Sequence, residues 1–200
     1  RRKEVVSLSQ GLRGLSALYP PEGGNTAVQV MASDFNHLED MEFLNDTVID
    51  LKIKQLEVAA RAAAAGGQAP VKFHFFNSFF YKKLTETPRN GPEHTGPGAQ
   101  AAKRLAGYQR VRKWTKDVDI FQKDYIFVPI HNALHWSLAI ICHPGEPPSA
   151  DKKTDPVMDP APMLLHLDSL SGNHPSNPMF TVLRAYLNHE WARRQEAENG

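Results

Sequence analysis

The chain has 200 residues, 41% of them hydrophobic and 22% charged, with a formal net charge of +1. That size and apolar content suit one domain of ordinary dimensions, and the balanced charge supplies no field that would draw nucleic acid or a membrane surface. No apolar run approaches the ~20 residues of a membrane-spanning helix, and the first residues show no secretory leader. The single cysteine, Cys142, excludes an intrachain disulfide framework and favours a reducing compartment, nucleus or cytosol.

Arg1, Arg2 and Lys3 read as a solvated chain end, and residues 11–24 as loop, broken at Tyr19-Pro20-Pro21-Glu22-Gly23-Gly24. Residues 27–30 read as a short strand. Phe43-Leu44-Asn45-Asp46 leads into a helix, with Asn45 as its cap and Asp46 in the first turn, where the helix dipole favours an acid. Ile49, Ile53 and Leu56 follow on one expected apolar face, and the helix runs through an alanine tract to a stop at Gly66-Gly67. Residues 71–84 are aromatic-rich and read as a buried segment turning into a helix near Ser78. Residues 85–98 and 144–162, rich in proline and glycine, read as polar insertions.

Between the insertions lie two expected strands, residues 125–130 and 136–142, and a third, residues 163–167, follows them. Asn177-Pro178 then opens a helix, with proline at its first position. Phe180, Leu183, Leu187 and Trp191 are expected on its apolar face, and the polar stretch from Arg193 is expected to fray. Helices flanking an antiparallel or mixed sheet give an α+β reading.

Two ionisable residues stand at the edges of apolar strands. His135 opens one, and Asp168 closes another. If those strands are neighbours, a carboxylate bonded to one ring nitrogen would fix the tautomer and leave the other nitrogen for a nucleophile. On these residues alone, a His-Trp pair beside a strand is more often core or rim, and Asp-Ser-Leu at a strand end more often just a turn. Cys142 lies seven positions from His135 on one strand. An odd separation points the two side chains to opposite faces, and the span is about 23 Å, so Cys142 reads as a small buried apolar residue. His131 and His135 have ligand spacing only on a helix, which Pro129 and the surrounding β-branched run argue against. His189-Glu190 lacks a second histidine, and His37, His74, His94, His143, His166 and His174 show no metal spacing with cysteine. No metal and no cofactor are expected.

Five segments in order carry a resemblance. They are Phe43-Leu44-Asn45-Asp46 before a helix; the phenylalanine-rich stretch of residues 75–84; the stretch of residues 111–121 around Trp114-Thr115 and Val118-Asp119-Ile120-Phe121; residues 126–130 followed by His135-Trp136; and Leu167-Asp168-Ser169-Leu170. Together they resemble the ULP/SENP family of SUMO-specific cysteine proteases. Phe43 in place of tryptophan, the phrase Phe127-Val128-Pro129 and the two insertions make the chain most similar to the branch that trims poly-SUMO.

The resemblance implies a papain-like cysteine protease fold and thiol-dependent hydrolysis after the C-terminal Gly-Gly of SUMO. Its partners would be SUMO, poly-SUMO chains and SUMO-conjugated proteins, with no nucleic acid and no membrane, in the nucleus or cytoplasm. It implies His135 as general base and acid and Asp168 as its orienter. Trp136 and Phe43 would form the two sides of a narrow tunnel for the diglycine, and Asp46 would face a basic residue of SUMO. Residues 1–26 would be an N-terminal extension, and 27–200 a protease domain whose C-terminal part is missing. The family's glutamine and Asp-Cys-Gly nucleophile motif are expected past Gly200, so the chain alone is expected to be inactive. The alternatives are a non-catalytic SUMO-binding or pseudo-protease module, and the same fold acting on another ubiquitin-like modifier.

Overall fold

The computed structural model describes residues 14–24, 26–65, 71–87, 96–145, 161–170 and 174–199. The basic start, the Gly66-Gly67 stop and most of the two expected insertions (88–95 and 146–160) lie outside the described residues. The chain forms two compact units, Arg1–Val71 and Lys72–Gly200.

In the first unit, strands β1 (Ser16–Tyr19) and β2 (Val28–Met31) pair antiparallel, Ser16 opposite Met31. β1 falls in the stretch read as loop. Its breaker residues are instead the connection that lets a short strand fold back, and the Ala32 N–H extends the pairing by donating to the Leu15 carbonyl at 3.0 Å. A 3-10 helix (Ala32–Leu38) leads on to helix α1 (Asp46–Ala65). Asn45 caps α1 as expected: its side-chain oxygen accepts the Val48 N–H at 2.9 Å. Its amide donates to Asp34 at 2.7 Å, and Asp34 in turn accepts the Met31 N–H, so the helix entry is tied to the end of β2. Of the expected apolar face, Ile49 and Ile53 are half-buried, but Leu56 is 47% exposed.

The second unit is a four-stranded mixed sheet in the order β3-β4-β5-β6. β3 (Phe73–Phe75) runs parallel to β4 (Tyr125–Asn132), while β5 (His135–Cys142) and β6 (Met163–Leu167) continue antiparallel. Period-two alternation decides which face is core: Ile126, Val128, Ile130, Ala139 and Ile141 are nearly inaccessible. Pro129 is tolerated inside β4 for a positional reason. The Phe127 carbonyl bonds the Phe76 N–H on the β3 side, so position 129 faces the same way, past the last β3 pair, Phe75 with Phe127, where no donor is required.

Helices α2 (Phe79–Thr85), α3 (Ala99–Val111) and α4 (Ser176–Asn199) belong to the same unit. Phe80, Leu84, Tyr108, Val111, Met179, Leu183 and Tyr186 complete the core on the buried sheet face. Gly107 lets α3 lie against α2, because a Cβ there would sit 2.1 Å from the Leu84 carbonyl oxygen.

The buried stripe of α4 matches the expected one in part: Leu183 is inaccessible, and Phe180 and Leu187 are half-buried against the core. The stripe runs Met179, Leu183, Tyr186, Glu190, whereas Trp191 is 47% exposed with its ring edge-on to Phe121. The helix also does not fray at Arg193, because Arg193 and Arg194 both close on the fully buried Glu190 carboxylate.

Candidate active site

β5 is built from alternating apolar residues, and its first residue, His135, emerges where the strand leaves the hairpin turn at Ala133-Leu134. β6 lies beside β5, and the residue just past its end is Asp168. The two side chains meet at this sheet edge: His135 Nε2 lies 2.5 Å from Asp168 Oδ1, with the side chains only 17% and 10% exposed. A carboxylate can only accept, so Nε2 carries the hydrogen. That leaves Nδ1 as the basic nitrogen, and it has no hydrogen-bond partner among the described residues.

Asp168 is held as an anion. The His135 hydrogen bond does most to bring its carboxyl down from 3.8 to about 2, and the backbone N–H of Leu170 (2.9 Å) adds to this. Partial burial opposes the shift, and the His174 N–H (3.2 Å) reinforces it. This is the arrangement of a base and its orienter: the anion fixes the tautomer and stabilises the ring when it takes up a proton.

The other residues singled out from the sequence are placed differently. Trp136, next to His135, points to the opposite sheet face, where it is half-buried and stacked on His131 at 4.4 Å. Phe43 and Asp46 belong to the first unit. Phe43 is 64% exposed, and its carbonyl contacts His37 Nδ1 at 2.8 Å. Asp46 opens α1 and is half-buried. Cys142 sits at the far end of β5 from His135, opposite Tyr125 and Met163 in the ladder, and burial pushes its thiol up, away from the reactive thiolate.

His174, set aside in the sequence with the other histidines, sits in this site. Its ring lies 4.9 Å from that of His135, and both its nitrogens are engaged, Nδ1 with the Ser137 hydroxyl at 2.7 Å and Nε2 with the Asn132 carbonyl at 2.9 Å. His135, Asp168 and His174 are close enough to be counted as a potential cation cluster. The described hydrogen bonds leave His174 no free lone pair to offer, so the donor set does not fit a metal.

A mixed sheet with one face buried under helices, and a His–Asp pair at its edge, is the architecture of the papain-like fold. The comparisons specify the family. The model of the "Ulp1 protease family, C-terminal catalytic domain" matches residues 42–199, so the chain belongs to that family. It is similar to "Probable ubiquitin-like-specific protease 2A" of Arabidopsis thaliana, 43% identical over 192 residues, covering 96% of this chain and 23% of that one. It is also similar to "Sentrin-specific protease 6" of Mus musculus, 39% identical over 128 residues, covering 64% of this chain and 11% of that one. Among solved structures it resembles "SUMO protease Ulp1 with the catalytic cysteine oxidized to a sulfenic acid", with TM-score 0.57 and 25% identity over 95% of this chain and 65% of that chain. The α+β papain-like architecture expected from the sequence is the one found. The chain thus spans less than a quarter of the length of the first curated relatives it matches.

Proposed function

We propose that this chain supplies the proton-transfer half of a thiol peptidase that hydrolyses the bond following the C-terminal Gly-Gly of SUMO. The observation that carries this reading is the His135–Asp168 contact with Nδ1 left over. His135 would take the proton of an attacking thiol through Nδ1 and return it to the leaving amine, while Asp168 holds the ring and its charge. The thiolate would come from a cysteine other than Cys142, which is buried and a strand length away. By the family resemblance that cysteine is the one within an Asp-Cys-Gly motif. Phe43 in place of tryptophan, the phrase Phe127-Val128-Pro129 and the two insertions favour the poly-SUMO-trimming branch, acting on SUMO chains and conjugates in the nucleus or cytoplasm.

Phe43 and Trp136 are assigned to gripping the diglycine tail and Asp46 to a basic residue of the modifier. An aromatic wall explains a Gly-Gly requirement, since it leaves no room for a Cβ. Trp136→Ala should lower turnover while leaving the melting temperature near the parent's; a large loss of stability with normal turnover per folded molecule would make it plain core. Asp46→Asn should weaken SUMO binding most at low salt; affinity unchanged across a salt series would remove that assignment.

The central test uses a SUMO probe bearing a C-terminal electrophile. This chain should not be labelled. A form extended through an Asp-Cys-Gly segment should be labelled at the new cysteine, equally well in a Cys142→Ser background, and His135→Ala should suppress it. Labelling at Cys142 would overturn the assignment. SUMO binding with no labelling of any extended form would favour the non-catalytic module.

A further inference from the structure

We propose that His174 is a positioning residue of the His135–Asp168 pair, joining the hairpin that carries the base to the carboxylate that orients it. This rests on the acid–base reading above. The ladder does not set the distance between the pair by itself: β5–β6 pairing ends at Leu138 opposite Leu167, three residues short of His135, and Asp168 lies past the last paired residue. His174 spans that gap with three bonds. Its backbone N–H donates to Asp168 Oδ2 at 3.2 Å. Its Nε2–H donates to the carbonyl of Asn132 at 2.9 Å, and Asn132 is the cross-strand partner of His135 at the mouth of the hairpin. Its Nδ1 meets Ser137 Oγ at 2.7 Å, two residues along β5 on the same face as His135. The ring also stands edge-on to the imidazole of His135, with 63° between the planes. His174 and Ser137 are both buried, so these bonds are made out of competition with water.

A buried, satisfied core histidine would share the burial. It would have no reason to bond one side of the pair through its ring and the other through its backbone. The groups that titrate around the carboxylate are His135 on β5, His166 on β6 and His174 itself, and His166 is bonded through Nδ1 to the Ser176 hydroxyl.

The test is carboxyl and imidazole NMR on this chain, read against pH and independent of turnover. In the parent, Asp168 should remain ionised down to about pH 2, and His135 should show a single Nε2–H tautomer. His174→Ala should raise the Asp168 midpoint by at least about half a pH unit, roughly a threefold weaker acid, and mix the His135 tautomers. His174→Gln, whose amide can still donate to Asn132, should recover part of the change. Ser137→Ala, the mildest substitution, should shift Asp168 in the same direction by less, and it carries the test if His174→Ala does not fold. An unchanged Asp168 midpoint and tautomer in Ser137→Ala and His174→Gln, with only a lower melting temperature, would make His174 a plain core residue and overturn the proposal. An ordinary Asp168 midpoint near 3.8 in the parent would overturn the acid–base pair itself, and this failure shows before any substitution.

Discussion

Two carboxylates of the second unit are each wrapped in hydrogen bonds, yet their networks differ in kind. Glu190 is fully buried in α4 and accepts from Tyr108 (2.9 Å), Thr115 (3.0 Å), Arg193 (2.6 Å) and Arg194 (3.0 Å). Arg194 continues to the Thr115 and Val118 carbonyls, so the cluster pins the segment after α3 to α4. Burial pushes the Glu190 carboxyl up, but the bonds from Arg193, Tyr108 and Thr115 outweigh it and leave the group below its ordinary value. Tyr108, losing solvent and facing that anion, is pushed up to about 12. Every strong partner of Glu190 is a guanidinium or a hydroxyl with its donors spent inward. Asp168 sits at a sheet edge and leans on a histidine whose second nitrogen is unspent. A closed network holds structure together, whereas one left open on a single basic nitrogen can pass a proton.

The largest effect should come from breaking the open cluster. In a catalytically active form of the protein, Asp168→Asn should lower turnover by about two to four orders of magnitude, because the imidazole loses its tautomer and its counter-charge. The melting temperature at neutral pH should fall modestly, because the anion's contribution is lost, and by far too little to account for the drop in turnover. A mutant with near-parent turnover would show that Asp168 is only a turn residue. Glu190→Ala should do the reverse. It leaves Arg194 and two buried hydroxyls without their acceptor, a loss of about 3–5 kcal/mol in denaturant unfolding, with activity per folded molecule preserved. A loss below about 1 kcal/mol would place the cluster among ordinary surface pairs.

Acid separates the two clusters more gently. Both carboxyls have folded-state values below their unfolded ones, so each stabilises the fold above the unfolded value and loses that contribution as pH falls through the folded value. For Asp168 the window runs from about pH 4 down to about 2. Asp168→Asn should therefore flatten the stability-against-pH curve in that window, with the parent more stable near neutrality and the two curves converging towards pH 2. Equal slopes in mutant and parent would mean that the His135 bond is not kept in solution.

Much of this was legible in the sequence, and the gaps have physical reasons. Strands β4, β5 and β6 and the capped start of α1 followed from alternation and from Asn45, signals that act over a few residues. His135 and Asp168 stood at the edges of apolar strands, a weak signal by itself, and only the five segments read together gave them roles. The α4 face was partly misjudged because Trp191 is the larger apolar residue and Glu190 the charged one, and only Tyr108, Thr115 and the two arginines, supplied by other segments and the next turn, make burial of a carboxylate tolerable. α3 carries few large apolar residues among its alanines and was not read from the sequence; its packing depends on Gly107, whose meaning appears only when the Leu84 carbonyl is beside it. His174 was passed over because it was screened for metal spacing rather than for what a buried imidazole can bridge. The clue within reach was its position six residues after Asp168, in a serine- and glycine-rich stretch able to turn back on itself.

The smallest expected effect concerns the turn that delivers His135. Ala133 and Leu134 link β4 to β5 as a two-residue hairpin loop, and both have positive φ, 48° and 60°. That is the backbone of a type I′ turn, which suits the twist of the strands but favours Asn-Gly, since a Cβ in this region costs about 1 kcal/mol per residue. Leu134 is also exposed, so its side chain gains little packing in return. Replacing the pair by Ala133→Asn with Leu134→Gly removes most of that cost, while glycine gives back about 0.4–1 kcal/mol through the freer unfolded chain. The net gain should be about 1 kcal/mol, or about 2–4 °C in melting temperature for a chain of this size. The Asp168 titration should not move, because the bond from His174 to the Asn132 carbonyl, rather than the turn's own conformation, holds the hairpin to the carboxylate. A stabilised variant with an altered Asp168 midpoint would show instead that the strained turn helps to aim His135, and the open cluster would then extend into the loop beside it.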